Sequence, residues 1–215
     1  MCYTGNTHPH TYAQAPPDMF PCTSLSRTRY RCCMPRLLAY MGQPGAFGEA
    51  ACLLADPAAA ATAFPTATDA IAAVLAGNCA AAVLPVHNSV AGPVFAVTDL
   101  LPGSGLDVID QVDVPITMAL LGVPGATLER VRTVTSHPIA LAQCSRLIAR
   151  LGLAPEPAPT TAAAAAALAR APSLDRCVLA AAHAAAHYGL VILATDVGDD
   201  AHAITRFVIL QRPSA

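Results

Sequence analysis

Short apolar runs alternate with Ala-rich stretches from about residue 37 to residue 210. Runs bounded by Gly, Pro or polar residues predict strands over 37–41, 80–86, 106–112, 116–123, 131–135, 190–195 and 205–210. Helical spacing predicts helices over 48–54, 68–75, 94–101, 138–151, 161–170 and 181–188. Asp69 lies near the start of one, with Gly77-Asn78 closing it, and Pro138 opens another that Gly152 ends. Strand–helix alternation of this kind predicts an α/β fold. The first 35 residues show neither period and are rich in Thr, Pro, Tyr, His, Cys and Arg. They read as a disordered leader, or as an extension upstream of a natural start at Met34.

Composition narrows the function classes. Hydrophobic residues make up 54% of the 215, charged residues 12%, and the net charge is −2. That balance excludes a polyanion-binding protein, which needs clustered cations, and a disordered chain. No strongly apolar run is long enough to span a bilayer, and the leader has no continuous apolar segment of the secretory kind. The chain therefore reads as soluble and cytoplasmic, with no membrane and no nucleic acid among its partners. Of eight Cys, none falls in a C-x-x-C spacing, and the vicinal Cys32-Cys33 pair suits tetrahedral zinc poorly. Cys52, Cys79, Cys144 and Cys177 read as small buried hydrophobes with reduced thiols. His183 and His187 have the i, i+4 spacing of a metal pair, but only Ala intervenes and no third ligand is evident. They read as ordinary helix histidines, so no metal is expected.

Three polar clusters fall at strand ends, where α/β sheets place ligands. His87-Asn88-Ser89 follows a buried strand, Ser136-His137 precedes a helix, and Thr205-Arg206-Phe207 opens the last strand. Taken singly they read equally well as a turn, a helix cap formed by Ser136, and an ion pair of Arg206 with Asp199 or Asp200.

In order and spacing the motifs resemble the prephenate dehydratase family. Tyr40-Met41-Gly42-Gln43-Pro44-Gly45-Ala46-Phe47-Gly48-Glu49 is similar to its opening strand and glycine turn. Pro85 through Gly92 resembles its Pro-x-Glu-Asn-Ser/Thr-x-x-Gly turn, and Ser136-His137-Pro138 through Gln143-Cys144 its Ser-His-Pro-x-x-x-x-Gln-Cys stretch. Thr160-Thr161, Tyr188-Gly189-Leu190 and Thr205-Arg206-Phe207 complete the series over residues 37–212.

The resemblance implies two α/β lobes like those of a type II periplasmic binding protein, with a site between them. Lobe one would take about 37–112 plus 201–212, and lobe two about 113–200. It further implies a homodimer, a prephenate-like small-molecule substrate and no cofactor, because aromatisation of the substrate drives the reaction. The chain stops soon after its last strand, so phenylalanine feedback through an ACT domain is not expected.

On the family pattern Thr205 is the hydroxyl nearest the chemistry, with Ser89 beside it. Asn88, Gly92, Ser136, His137, Gln143, Thr161, Arg206 and Phe207 would bind substrate. Five positions depart from the pattern: His87 stands where a Glu is expected, and Ala46, Gly48, Ala91 and Ala203 stand in place of polar residues. His87 would then replace the missing acid, since an imidazole can donate a proton near neutral pH. A non-aromatising prephenate decarboxylase and a binding protein without catalysis are the competing readings.

Overall fold

The computed structural model describes residues 36–213, so the readings of the leader lie outside the described residues. The first elements are β1 (Leu37–Met41), α1 (Phe47–Ala55), β2 (Ala60–Phe64), α2 (Ala67–Leu75), β3 (Ala81–Asn88), β4 (Gly92–Pro93), α3 (Phe95–Thr98) and β5 (Asp107–Pro115). The chain then continues through β6 (Met118–Gly122), β7 (Thr133–Ser136), α4 (Pro138–Gln143), α5 (Ser145–Leu151) and β8 (Ala154–Pro157). It ends with α6 (Thr161–Arg170), β9 (Arg176–Ala181), α7 (Ala184–Tyr188), β10 (Val191–Ala194) and β11 (Ile204–Gln211).

These strands form two sheets. One has the order β2-β1-β3-β11-β5, with β4 attached to β3, and the other the order β10-β6-β9-β7-β8. The final strand returns to the first sheet and lies antiparallel between β3 and β5. Two α/β lobes with the last strand given back to the first define the type II periplasmic-binding-protein architecture. The first sheet extends to Pro115 rather than 112, because β5 stays paired with β11 from Asp107 opposite Gln211 to Pro115 opposite Ile204. The two connections between lobes touch, Ile116 N donating to Ala203 O at 2.8 Å.

Alternation along the strands explains the layers. Leu38, Tyr40, Val83, Phe207 and Ile209 pack on one face with Ala51 and Cys52 of α1. Ala39, Ala82, Leu84, Val208 and Leu210 face the other way, toward α2 and Val97 of α3. The second lobe buries Leu120, Leu121, Val134 and Leu179 against its helices. Each such Leu or Val contributes about 1.5–3 kcal/mol on burial. Ala contributes far less but lets α6 lie close on β9. The four core Cys are buried and free. Burial pushes the thiols of Cys52, Cys144 and Cys177 up to about 12, which keeps them protonated and unreactive.

Besides the two-residue β4, three strands had no signal in the sequence. β2 is Ala-rich and exists because the parallel edge of β1 takes it as a partner. β8 carries Pro155 and Pro157, which are tolerated because it is an edge strand. β9 merges in the sequence with the Ala run of the following helix. The helix expected over 138–151 is broken at Cys144, and the carboxylate of Asp199 receives Ser145 Oγ and Arg146 N at the start of the second half.

Candidate active site

Thr205 opens β11 opposite Asn88 of β3. Further along the same pair the register slips, so that Arg206 faces His87 while Phe207 faces Pro85. One residue of β3, Val86, is thus extra. Such a bulge re-aims the residues beyond it, and here it turns Asn88 to the side of Thr205. Asn88 Nδ2 donates to Thr205 Oγ1 at 2.8 Å. Its Oδ1 accepts from Val90 N and Ala91 N, at 2.9 and 2.8 Å, so the amide is locked in orientation. The hydroxyl of Thr205, in a residue only 7% exposed, has its lone pair engaged and its O–H left to point elsewhere.

Thr205 and Asn88 line a cavity of about 400 Å³ between the lobes. Phe207, Gly92 and Met41 belong to its lobe-one wall, and His137, Gln143 and Thr161 to its lobe-two wall. A second cavity of about 440 Å³ adjoins it, and the two share Ala91, Ile116, Met118, Ile139 and Gln143. Together they form one cleft, polar at the Thr205 end and apolar in the middle. Gln143 Nε2 is the one buried side-chain nitrogen or oxygen without a hydrogen-bond partner among the described residues. Its donors are available to a ligand in either cavity. His137, also on the cavity wall, accepts from Ile139 N at Nδ1, 3.2 Å.

Four of the nominated residues are placed elsewhere. Ser136 is fully buried and donates to Leu179 O at 2.6 Å. It ties β7 to β9 and does not cap the next helix, a role that His137 takes. Ser89 accepts from Ile204 N at 3.0 Å and fastens the start of β11, outside the cavity walls. His87 is exposed and sits opposite Arg206 on β11 and Pro93 on β4, away from both cavities. The same alternation that sends Thr205 and Phe207 into the cleft sends Arg206 out of it. Arg206 forms a bidentate pair with Asp113 of β5, both contacts 2.8 Å, and not with Asp199 or Asp200. That hydrogen-bonded guanidinium holds the Asp113 carboxyl below its ordinary value.

Of the five departures, Gly48, Ala91 and Ala203 do line the cleft, and each makes its wall less polar. Ala46 instead offers its carbonyl to His183 Nε2 at 3.3 Å. His187 Nε2 lies 3.1 Å from Glu49 Oε2, and Tyr188 donates to Pro44 O at 2.7 Å. The histidine pair therefore joins the two lobes at the glycine turn, and no cluster suited to a metal ion occurs among the described residues. Thr160, Phe47, Ile116, Met118 and Arg146 also line the cleft. The apolar ones carried no mark in the sequence beyond their hydrophobicity.

The fold defines a two-lobed α/β protein with a cleft between its lobes. A family model described as prephenate dehydratase matches residues 38–215, and the chain belongs to that family. It is 38% identical over 175 residues to arogenate dehydratase/prephenate dehydratase 1 of Arabidopsis thaliana, covering 81% of this chain and 45% of that one. It is 37% identical over 180 residues to a bifunctional N-acyl-homoserine lactone acylase/prephenate dehydratase of Komagataeibacter europaeus, covering 84% and 64%. The crystal structure of prephenate dehydratase in complex with L-Phe from Arthrobacter aurescens superposes with a TM-score of 0.75 at 32% identity, covering 83% and 61%. The chain spans about half the length of the curated plant relatives it matches.

Proposed function

We propose that the protein is a prephenate dehydratase, a carbon–oxygen lyase that converts prephenate to phenylpyruvate, CO₂ and water on the route to phenylalanine. The observation that carries this reading is the Thr205 hydroxyl, fixed by Asn88 at one end of a cleft whose middle is apolar. Loss of the ring carboxylate sends its electron pair into the ring, the C–O bond breaks on the opposite side, and the departing hydroxide takes up one proton. A donor already oriented toward that oxygen lowers the barrier without reorganising during the reaction. Apolar walls around the ring exclude water and favour a transition state in which the carboxylate charge is dispersing. His137, Gln143 and Thr161 supply further donors from the opposite lobe. Family membership of the whole matched region supports the reading.

We further place the protein in the cytoplasm as a homodimer. No helix among the described residues is long and apolar enough to cross a membrane. β5 is an edge strand with Val108 and Ile109 more than half exposed, at 55% and 52%, a surface that a second copy would cover.

The test is incubation of the purified protein with prephenate, with ring absorbance, phenylpyruvate and CO₂ followed together. Aromatic product that disappears in Thr205→Val establishes the dehydratase. CO₂ with a retained ring hydroxyl makes it a non-aromatising decarboxylase, and binding without turnover makes it a binding protein. N-acyl-homoserine lactone is assayed alongside because one relative is named for both activities.

A further inference from the structure

A substrate with two carboxylates needs a cation in the cleft, and the arginine that the sequence nominates is not there. Arg206 is turned outward and its guanidinium is taken by Asp113. Among the described residues, one Arg lines either cavity, and it is Arg146, near the start of α5. Three observations make its side chain available. No carboxylate among the described residues lies within ion-pair distance of its guanidinium. The nearby acid, Asp199, is occupied by Ser145 Oγ at 2.7 Å and by the backbone N of Arg146 at 3.2 and 3.3 Å. Asp199 N in turn donates to Gln143 O at 2.6 Å, so one carboxylate and one amide pin the backbone on both sides of the break at Cys144. Asp199 thereby fixes the main chain that carries Arg146 without neutralising its head.

The position of this cation sets an orientation. Thr205 and Asn88 line only the first cavity and Arg146 only the second, with Ile116, Met118 and Ile139 between them. In prephenate the ring hydroxyl lies at the opposite end of the ring from the carbon that bears one carboxylate directly and the side chain ending in the other. With the hydroxyl at Thr205, the far end faces Arg146. Pairing the carboxylate that leaves with a guanidinium would stabilise the ground state and slow its loss, whereas pairing the side-chain carboxylate anchors the molecule at no cost to the chemistry. Resting on the dehydratase reading, we propose that Arg146 is the substrate-binding residue that holds the retained side-chain carboxylate, and that Asp199 is the positioning residue behind it.

The product phenylpyruvate keeps only this carboxylate and so serves as the binding probe. Calorimetry with phenylpyruvate should give a Kd raised about 10- to 100-fold in Arg146→Gln, the usual loss for one charged hydrogen-bonded contact, with partial recovery in Arg146→Lys. With prephenate, Arg146→Gln should raise KM by a similar factor and lower kcat much less. Thr205→Val should do the reverse, lowering kcat while phenylpyruvate still binds. A phenylpyruvate Kd within about twofold of the parent in Arg146→Gln overturns the proposal even if dehydration is intact. So does a parent protein that does not bind phenylpyruvate. If the parent binds phenylpyruvate and loses it with Arg146 but turns over no prephenate, the anchor stands and the dehydratase reading falls.

Discussion

Asn88 donates to the hydroxyl of Thr205 across 117 residues of chain, at 2.8 Å, and the bulge between β3 and β11 is what lets them meet. In a ladder without the slip Val86 would pair with Arg206, and Asn88 would fall opposite Ile204 on the other face of the sheet. Asn88→Ala removes the donor and the turn that Oδ1 stabilises, and should lower kcat by about 10- to 100-fold, the range of one positioned catalytic contact. Thr205→Ser, which keeps the hydroxyl, should retain most of the rate, and Thr205→Val should lose it. Steady-state assay with prephenate reads all three.

His87 is exposed and lines neither cavity, so a role for it in place of the missing acid finds no support in its position. His87→Ala should leave kcat and KM within about twofold of the parent, in line with an exposed position free of special contacts. A large fall in kcat would mean that the imidazole reaches the substrate after all.

Gly45 has φ +82 in the turn that meets lobe two, and a Cβ there would lie 2.8 Å from Ala184 Cβ and 2.9 Å from its Cα. Gly45→Ala therefore combines a left-handed backbone with a clash against α7. It should destabilise by roughly 1–3 kcal/mol, seen as a lower midpoint in thermal or urea unfolding. Ala184→Gly in the same chain should recover only part of that loss, because the backbone contact and the φ remain.

The Asp113–Arg206 pair gives a pH dependence of definite sign. Its hydrogen bond lowers the Asp113 pKa from 3.8, so the carboxylate's stabilising effect is complete above that value and fades as pH falls through the lower folded value. The difference in Tm between the parent and Asp113→Asn should be small and constant near neutrality, since the pair is exposed, and should vanish in strong acid. A difference that grew with acidity would contradict this.

Much of the architecture was legible because hydrophobic periodicity reports burial, and burial decides the central strands. β1, β3, β6 and β11 carry Leu, Val and Ile in short bounded runs. β2 and β9 escaped notice because Ala has no strong preference, and their pairing comes from neighbours far along the chain. Asn88, Thr205, His137, Gln143 and Thr161 do meet at one cleft, since polar residues at strand and helix ends tend to face one. Ser89, Ser136, His87 and Arg206 were not separable from them. Which face a strand residue takes depends on the bulge, and a motif does not state where a bulge falls. Arg146 was invisible for the opposite reason: its availability depends on Asp199 being occupied by backbone and hydroxyl donors.

The two crossings between lobes are bonded to each other, Ile116 N to Ala203 O. They act as the spine of a book. Thr205 and Asn88 lie beside that spine on one cover, while His137, Gln143, Thr161 and Arg146 ride on the other. On the dehydratase reading, opening the covers would carry away the groups that grip the molecule, yet leave the Thr205 hydroxyl and its amide undisturbed. Selection and chemistry, on that same reading, fall to separate lobes, so a change in one leaves the other's contacts in place.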